Sequence, residues 1–328
     1  MDKRRIAIVA GGYSSEFPVS LRSAQGLYSF MDKDRYDIHI VKLTREEWVV
    51  ELSDGETSEI DKNDFSFVEN GKIRHFDFVY ITIHGTPGED GRLQGYFDMV
   101  GLPYSTCNVL VSALTFNKFV CNRYLHGFGI PVAQSVVLRN GQSITDREVM
   151  EQLGLPCFIK PNVGGSSCGT TKVKTVEDIQ PAITKAFAEG EEVIIESFME
   201  GTEITCGCYK TRKRTVVLPI TEVVSKNEFF DFEAKYTASK VEEITPARLS
   251  SEMTVKVQER TSRIYDILGC KGIIRVDYII IGEEPYLLEV NTTPGMTATS
   301  FIPQQVKAAG MNIKDVLTEI IENEMIRK

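Results

Sequence analysis

One segment restricts this chain more than any other: GIIRVDYIIIGEEPYLLEVNTTPG, Gly272–Gly295. Two apolar runs flank Gly282-Glu283-Glu284-Pro285, which predicts a β-hairpin. Side chains two apart on a strand share a face, so Arg275 goes with Asp277, and Glu289 with Asn291. A turn centred on Glu283 sets Asp277 opposite Glu289 and Arg275 opposite Asn291. One face of the hairpin then carries an arginine, two carboxylates and an amide. The carboxylate and amide donors are hard oxygens, which suit Mg²⁺ held partly through a phosphate and do not suit Zn²⁺. The plain alternative is a solvated outer face with a surface ion pair.

The rest of the chain reads as alternating elements. RRIAIVA is a buried strand running into Gly11-Gly12, and a helix begins near Glu16, with Pro18 tolerated in its first turn. YDIHIVKL and FDFVYITI are further strands, so the first hundred or so residues predict an α/β unit with a doubly wound parallel sheet. A helix over about Ser112–His126 carries Lys118. Strands follow near VAQSVVL, PCFIKP and TTKVKT, then a helix whose start, Thr175 to Asp178, resembles a capping box. EEVIIESFM, EITCGCYK and RTVVLPITEVV are strand-rich, residues 225–248 form a long polar loop, and a helix over 251–268 precedes the hairpin and terminal helices. An α/β unit therefore precedes two α+β pieces, with expected divisions at 1–107, 108–192 and 193–328.

The stretch KPNVGGSSCG, Lys160–Gly169, has the composition of a phosphate cradle but the wrong order for a P-loop, because its lysine comes first. Lys160 ends a strand, and Gly164, Gly165 and Gly169 allow close backbone approach with N–H groups turned to an anion. By itself this loop reads equally well as a flexible turn. HGTPGEDGRLQG, His84–Gly95, is a glycine-rich loop after a strand, where α/β ligand sites lie. Glu233-Ala234-Lys235-Tyr236 lies in the long polar loop and suits a lid. Glu196, Glu203 and Lys118 taken singly are ordinary surface groups.

Charge and cysteine usage narrow the partners. With 37 basic and 46 acidic residues the net charge is −9, and no basic patch points to nucleic acid or an anionic membrane. No apolar run reaches bilayer length, and the run Ile6–Ala10 is too short for a signal peptide core. Seven scattered cysteines without metal spacing fit a reducing cytoplasm.

Taken together, GGYSSEFPVS, HGTPGEDGRLQG, KPNVGGSSCG, EAKY and RVDYIII…LLEVNTTPGMTATS resemble, in this order, the D-alanine–D-alanine ligases of the ATP-grasp superfamily, from about Ile6 to Gly310. The resemblance implies a two-part ATP-grasp fold after the N-terminal unit. It also implies ATP-dependent joining of two D-alanines through an acyl phosphate, and a homodimer. By the same likeness, Lys118 and Lys160 hold ATP phosphates under the loop 164–169 with Ser167. Glu196, Met199 and Glu203 hold adenine and ribose, while Asp277, Glu289 and Asn291 ligate two Mg²⁺ (or Mn²⁺) ions. Glu16 pairs with the first ammonium, and Ser166 and Tyr236 link to it. Arg275 and the Gly295 N–H form the oxyanion site, Lys235 and Ser300 face the second carboxylate, and His84 lies on the substrate side. Relatives that make D-alanyl-D-lactate lack the EAKY tyrosine, so Tyr236 favours an amine acceptor. Ligases with D-serine or D-lactate as acceptor, or another ATP-grasp carboxylate–amine ligase, are the alternatives. A nucleotide-binding protein without catalysis is another. Tyr278 stands where the family usually has an aliphatic residue.

Overall fold

The computed structural model describes residues 3–52, 55–165, 168–225 and 241–326. The first sheet is built from β1 (Arg4–Gly11), β2 (Tyr36–Leu43), β3 (Trp48–Glu51), β4 (Thr57–Asp61), β5 (Ser66–Glu69), β6 (Lys72–Arg74) and β7 (Phe78–Ile81), with α1 (Phe17–Phe30) between β1 and β2. Its order is β6-β5-β4-β3-β2-β1-β7. β1 runs parallel to β2 and β7, and Ile6 through Ala10 are fully buried, as expected of a strand covered on both faces. The parallel core is extended by an antiparallel meander, β3–β6, across residues that show little apolar alternation.

Next come α2 (Arg92–Val100), α3 (Val109–Phe116) and α4 (Lys118–His126). The single helix expected over Ser112–His126 is broken at Asn117. That residue is extended, with ψ 101°, and its side chain accepts from the Val120 N–H as the cap of α4. The second sheet, in the order β10-β9-β11-β8, contains β8 (Ser135–Arg139), β9 (Cys157–Pro161), β10 (Thr171–Val173) and β11 (Glu192–Ser197), with α5 (Asp146–Gln152) and α6 (Ile179–Phe187) between strands. Thr175 makes no capping bond to backbone; its hydroxyl donates to Asp178 at 2.9 Å and a 3₁₀ turn follows. A true capping box stands instead at Thr145 and Glu148, ahead of α5.

The third sheet comprises β12 (Thr202–Lys210), β13 (Thr215–Val217), β14 (Thr221–Ser225), β15 (Val241–Ile244), β16 (Ile273–Ile281) and β17 (Glu284–Asn291). With it go α7 (Ser251–Leu268), α8 (Phe301–Ala308) and α9 (Ile313–Met325). Its order is β15-β14-β12-β16-β17, with β13 paired to β12. Thus part of the expected lid, residues 241–244, is strand, and residues 226–240 lie outside the described residues.

The β16–β17 hairpin has the predicted register at its far end, with Asp277 opposite Glu289 and Arg275 opposite Asn291. The turn itself is tighter than a loop centred on Glu283, since Ile281 pairs Glu284 and Tyr278 pairs Leu287. A β-bulge between Asp277 and Tyr278 leaves Leu288 without a partner and supplies the missing residue. Leu287 and Val290, three apart, therefore both enter one core with Val276 and Tyr278. Tyr278 is fully buried there, its hydroxyl 2.8 Å from Thr261 Oγ1 on α7, so the unusual aromatic is accommodated by a polar partner.

The first and third sheets share a core. Ile6, Ile8 and Leu27 pack in one cluster with Ile302, Val316, Leu317 and Ile320 of the C-terminal helices. Gly272, at φ +62°, lies so close to the first sheet's exit that a Cβ there would stand 1.9 Å from the Ser105 carbonyl oxygen. This approach fixes the start of β16 against the end of the N-terminal sheet. No helix among the described residues is long and apolar enough to cross a membrane.

Candidate active site

The polar face of the hairpin is cross-braced. Arg275 donates through Nε to Asp277 Oδ1 at 2.9 Å and through a terminal nitrogen to Oδ2 at 2.6 Å, and lies 3.9 Å from Glu289 Oε1. Thr205, opposite Asp277 on β12, donates to Oδ1 at 2.6 Å. Burial works against the Arg275 charge, but Asp277 and then Glu289 outweigh it and raise its pKa, so the guanidinium stays charged. Asn291 Oδ1 accepts from the Thr293 N–H at 2.9 Å. Among the described residues no group of three His, Cys, Asp or Glu side chains is arranged to hold a metal. The set on this face is two carboxylates and one amide. All their free lone pairs are on oxygen, which fits Mg²⁺ or Mn²⁺ completed by phosphate oxygens.

Opposite this face stands Lys118, the first residue of α4. Its Nζ donates to the Gly164 carbonyl at 2.6 Å and lies 3.9 Å from Glu289 Oε2. The start of α4 is pinned by buried Asn162, whose Oδ1 accepts from the Phe119 N–H at 2.9 Å and whose amide donates to Asn117 Oδ1 at 2.9 Å and Glu192 Oε2 at 2.7 Å. Lys160 on β9 and Glu196 on β11, diagonal neighbours on one face, form a buried ion pair at 2.5 Å. Burial disfavours the ammonium, yet Glu196 more than compensates and the Lys160 pKa is raised. Met199 follows β11, half-buried, and Glu203 is on β12.

On the other side Glu16 caps the start of α1 in position, its N–H donating to Ser14 Oγ at 3.2 Å. The glycine-rich loop closes on it: a Cβ at Gly165 would stand 2.4 Å from Glu16 Oε2. His84 is buried, with Nε2 3.4 Å from Ser23 Oγ. Burial pushes its imidazole below the ordinary range; nearby Glu16 opposes this and Arg275 adds to it. Gly295 lies in the loop after β17, where a Cβ would stand 3.0 Å from Ser300 Oγ. That hydroxyl also accepts from the Thr297 N–H at 3.0 Å. Glu16, His84, Arg275, Glu289, Lys118 and Lys160 thus meet in one polar cleft between the three sheets. Ser166, Ser167, Lys235 and Tyr236 lie outside the described residues. A groove of about 420 Å³ on α7, lined by Gln258, Glu259 and Arg263, holds none of these groups.

Residues 5–107 match the family described as D-ala D-ala ligase N-terminus, and residues 124–322 match D-ala D-ala ligase C-terminus. The chain belongs to the D-alanine–D-alanine ligase family. It is 68% identical over 323 residues to the D-alanine–D-alanine ligase of Phocaeicola vulgatus, covering 98% of this chain and 99% of that protein. Two solved ligases have the same fold. VanG D-Ala:D-Ser ligase from Enterococcus faecalis gives a TM-score of 0.86 at 31% identity, covering 98% of this chain and all of that one. D-alanine–D-alanine ligase from Bacillus anthracis complexed with ATP gives 0.78 at 30%, covering 98% and 97%.

Within this ligase framework several residues of the cleft escape a reading of the sequence. Asn117 and Asn162 look like loop polar residues, and only the fold reveals that they set the origin of the Lys118 helix. Glu89, in the His84–Gly95 loop, accepts from the Gly85 N–H at 2.6 Å. Burial pushes its carboxyl up to about 8, with Glu16 adding to the effect. Asn162, between a strand end and Gly164, and Glu89, between Gly88 and Gly91, carry only that position as a signal, and Asn117, between two helices, carries none.

Proposed function

We propose that this chain joins two D-alanines with ATP, through an acyl phosphate on the first, releasing ADP and phosphate for peptidoglycan precursor synthesis. The observation that carries the reading is the opposition of the Arg275–Asp277–Glu289–Asn291 face to Lys118, with Glu16 across the same cleft. A triphosphate and a carboxylate nucleophile repel each other, and a site for their reaction needs concentrated positive charge. Lys118 and Lys160 supply part of it, and Glu196 keeps Lys160 protonated where burial would strip its charge. When bound by Asp277, Glu289 and Asn291, Mg²⁺ or Mn²⁺ supplies the rest by neutralising phosphate oxygens. Glu16 takes the ammonium of the first D-alanine. Arg275, held charged and aimed by Asp277, stabilises the oxyanion of the tetrahedral intermediate together with the Gly295 N–H. His84, uncharged in its buried position, borders the first substrate without repelling its ammonium.

The same reading gives Glu196, Met199, Glu203 and Ser167 to ATP, Lys235 and Ser300 to the second carboxylate, and Ser166 with Tyr236 to a link with Glu16 across the lid 225–248. It divides the chain at 1–107, 108–192 and 193–328 and describes a cytoplasmic homodimer, which sedimentation of the purified protein would check. The purified protein with ATP, Mg²⁺ and D-alanine should release phosphate and yield the dipeptide by mass spectrometry. No product at any of several pH values would sink the reading. Likeness to a D-Ala:D-Ser ligase supports one competing acceptor, so D-serine and D-lactate belong in the same assay.

A further inference from the structure

The peptide between His84 and Gly85 is held at both poles by side chains. Its carbonyl accepts from Ser14 Oγ at 2.8 Å, and its N–H donates to Glu89 Oε2 at 2.6 Å. The two clamping residues come from different segments, one from the turn between β1 and α1 and the other from the loop after β7. Gly85 has φ +74°, and a Cβ there would lie 2.9 Å from Ser14 Cβ and 4.0 Å from Glu16 Oε2, so the peptide sits directly against that turn. Gly85 also accepts through its carbonyl from the N–H groups of Gly88 and Glu89, at 2.8 and 2.9 Å, which closes the loop on itself. Ser14 does double duty: the hydroxyl that donates to His84 accepts from the Glu16 N–H at 3.2 Å. Beyond the peptide, the buried His84 ring reaches Ser23 at 3.4 Å, and Ser23 accepts from the Met296 N–H at 3.4 Å, one residue past Gly295.

We propose that Ser14 and Glu89 are positioning residues that clamp the His84–Gly85 peptide and thereby fix His84 and Glu16 at the spacing the first amino acid requires. The inference rests on the assignment of Glu16 to the first ammonium. The clamp needs an acceptor at position 89, not a negative charge. The Glu89 carboxyl, pushed up to about 8 by burial and Glu16, is largely protonated at neutral pH, and glutamine is a close mimic.

The test is initial-rate kinetics of the full chain, with separate constants fitted for the first and second D-alanine and for ATP. Ser14→Ala and Glu89→Ala should each raise the first-amino-acid constant about tenfold, the effect of one lost charge-assisted or buried hydrogen bond, with the ATP constant within about twofold. Ser14→Thr and Glu89→Gln should return the constant to within about threefold of the parent. If Glu16→Ala raises that constant while Ser14→Ala and Glu89→Ala do not, the clamp is wrong and the Glu16 assignment stands. If Glu16→Ala leaves it unmoved, the assignment beneath the clamp fails, and the clamp with it. A Glu89→Gln variant as impaired as Glu89→Ala would overturn positioning in favour of a charge or proton role. Equal increases in all three constants, with a lowered melting temperature, would overturn it in favour of general structural damage.

Discussion

Lys160 and Glu196 keep only 14% and 6% of their side chains exposed while paired at 2.5 Å. Removing one member of such a pair strands the other in a medium that solvates it poorly. Lys160→Met should therefore lower unfolding free energy by about 3 kcal/mol, whereas a double variant with Glu196→Leu should recover most of that loss in urea titrations. Glu289→Gln should keep the fold but make turnover more demanding of Mg²⁺, by at least the ~10-fold that losing even an outer partner of a metal costs. Near-normal rates at limiting Mg²⁺ would count against the ligand assignment. Glu89 gives a pH prediction. Its carboxyl titrates near 8 when folded against an ordinary 4.5, so the folded state holds the extra proton and stability falls as pH rises through that window. Glu89→Gln should gain stability relative to the parent between those limits in the ligand-free protein. His84 acts in the opposite sense below 6.5, where its folded form resists protonation and stability is lost as pH falls. The four residues of the hairpin face were legible in the sequence because strand side chains alternate with a fixed period. Ser14 and Glu89 were not, because loop composition carries no direction.

At the scale of elements, the chain's regular segments were largely readable: the strand at Arg4–Gly11, the helix at Ser251–Leu268 and the hairpin stand where their apolar patterns put them. The break between α3 and α4 was hidden. Apolar periodicity continues across Asn117, and the partner that converts it to a cap, Asn162, is 45 residues away. Because the break places Lys118 at a helix start, it is part of the site's construction. Asn117→Ala should cost about 1 kcal/mol as a lost cap, and should raise the ATP constant more than either D-alanine constant. The antiparallel meander over residues 48–74 was missed for another reason: its strands are short and half-exposed, so alternation hardly develops.

Across the whole molecule, function depends on how three sheets are held. The C-terminal helices share a core with β1, and Gly272 lies against the Ser105 carbonyl, so Arg275 and the Glu16 turn belong to one packed body. Gly272→Ala puts a methyl where backbone already stands, on a residue at φ +62°. It should cost roughly 3 kcal/mol or more in urea unfolding and depress turnover with every substrate. A loss under about 0.5 kcal/mol, the range of an ordinary surface change, would show the seam to be looser than described. No pattern in one chain segment announces such a contact, since it depends on two segments meeting.

The extra residue in β17 has a consequence that reaches past this structure. A strand is read by parity, and Leu288 shifts the frame by one. Replacing Leu288 with another residue leaves the frame intact and costs at most its own packing. Deleting it would place Leu287 and Val290 two apart, a regular alternation that keeps both in the core and leaves Glu289 and Asn291 on the cleft face. The bulge would absorb the loss, and neither proposed ligand would change side. At this one point of the hairpin, length can change by a residue without changing which face carries the carboxylates.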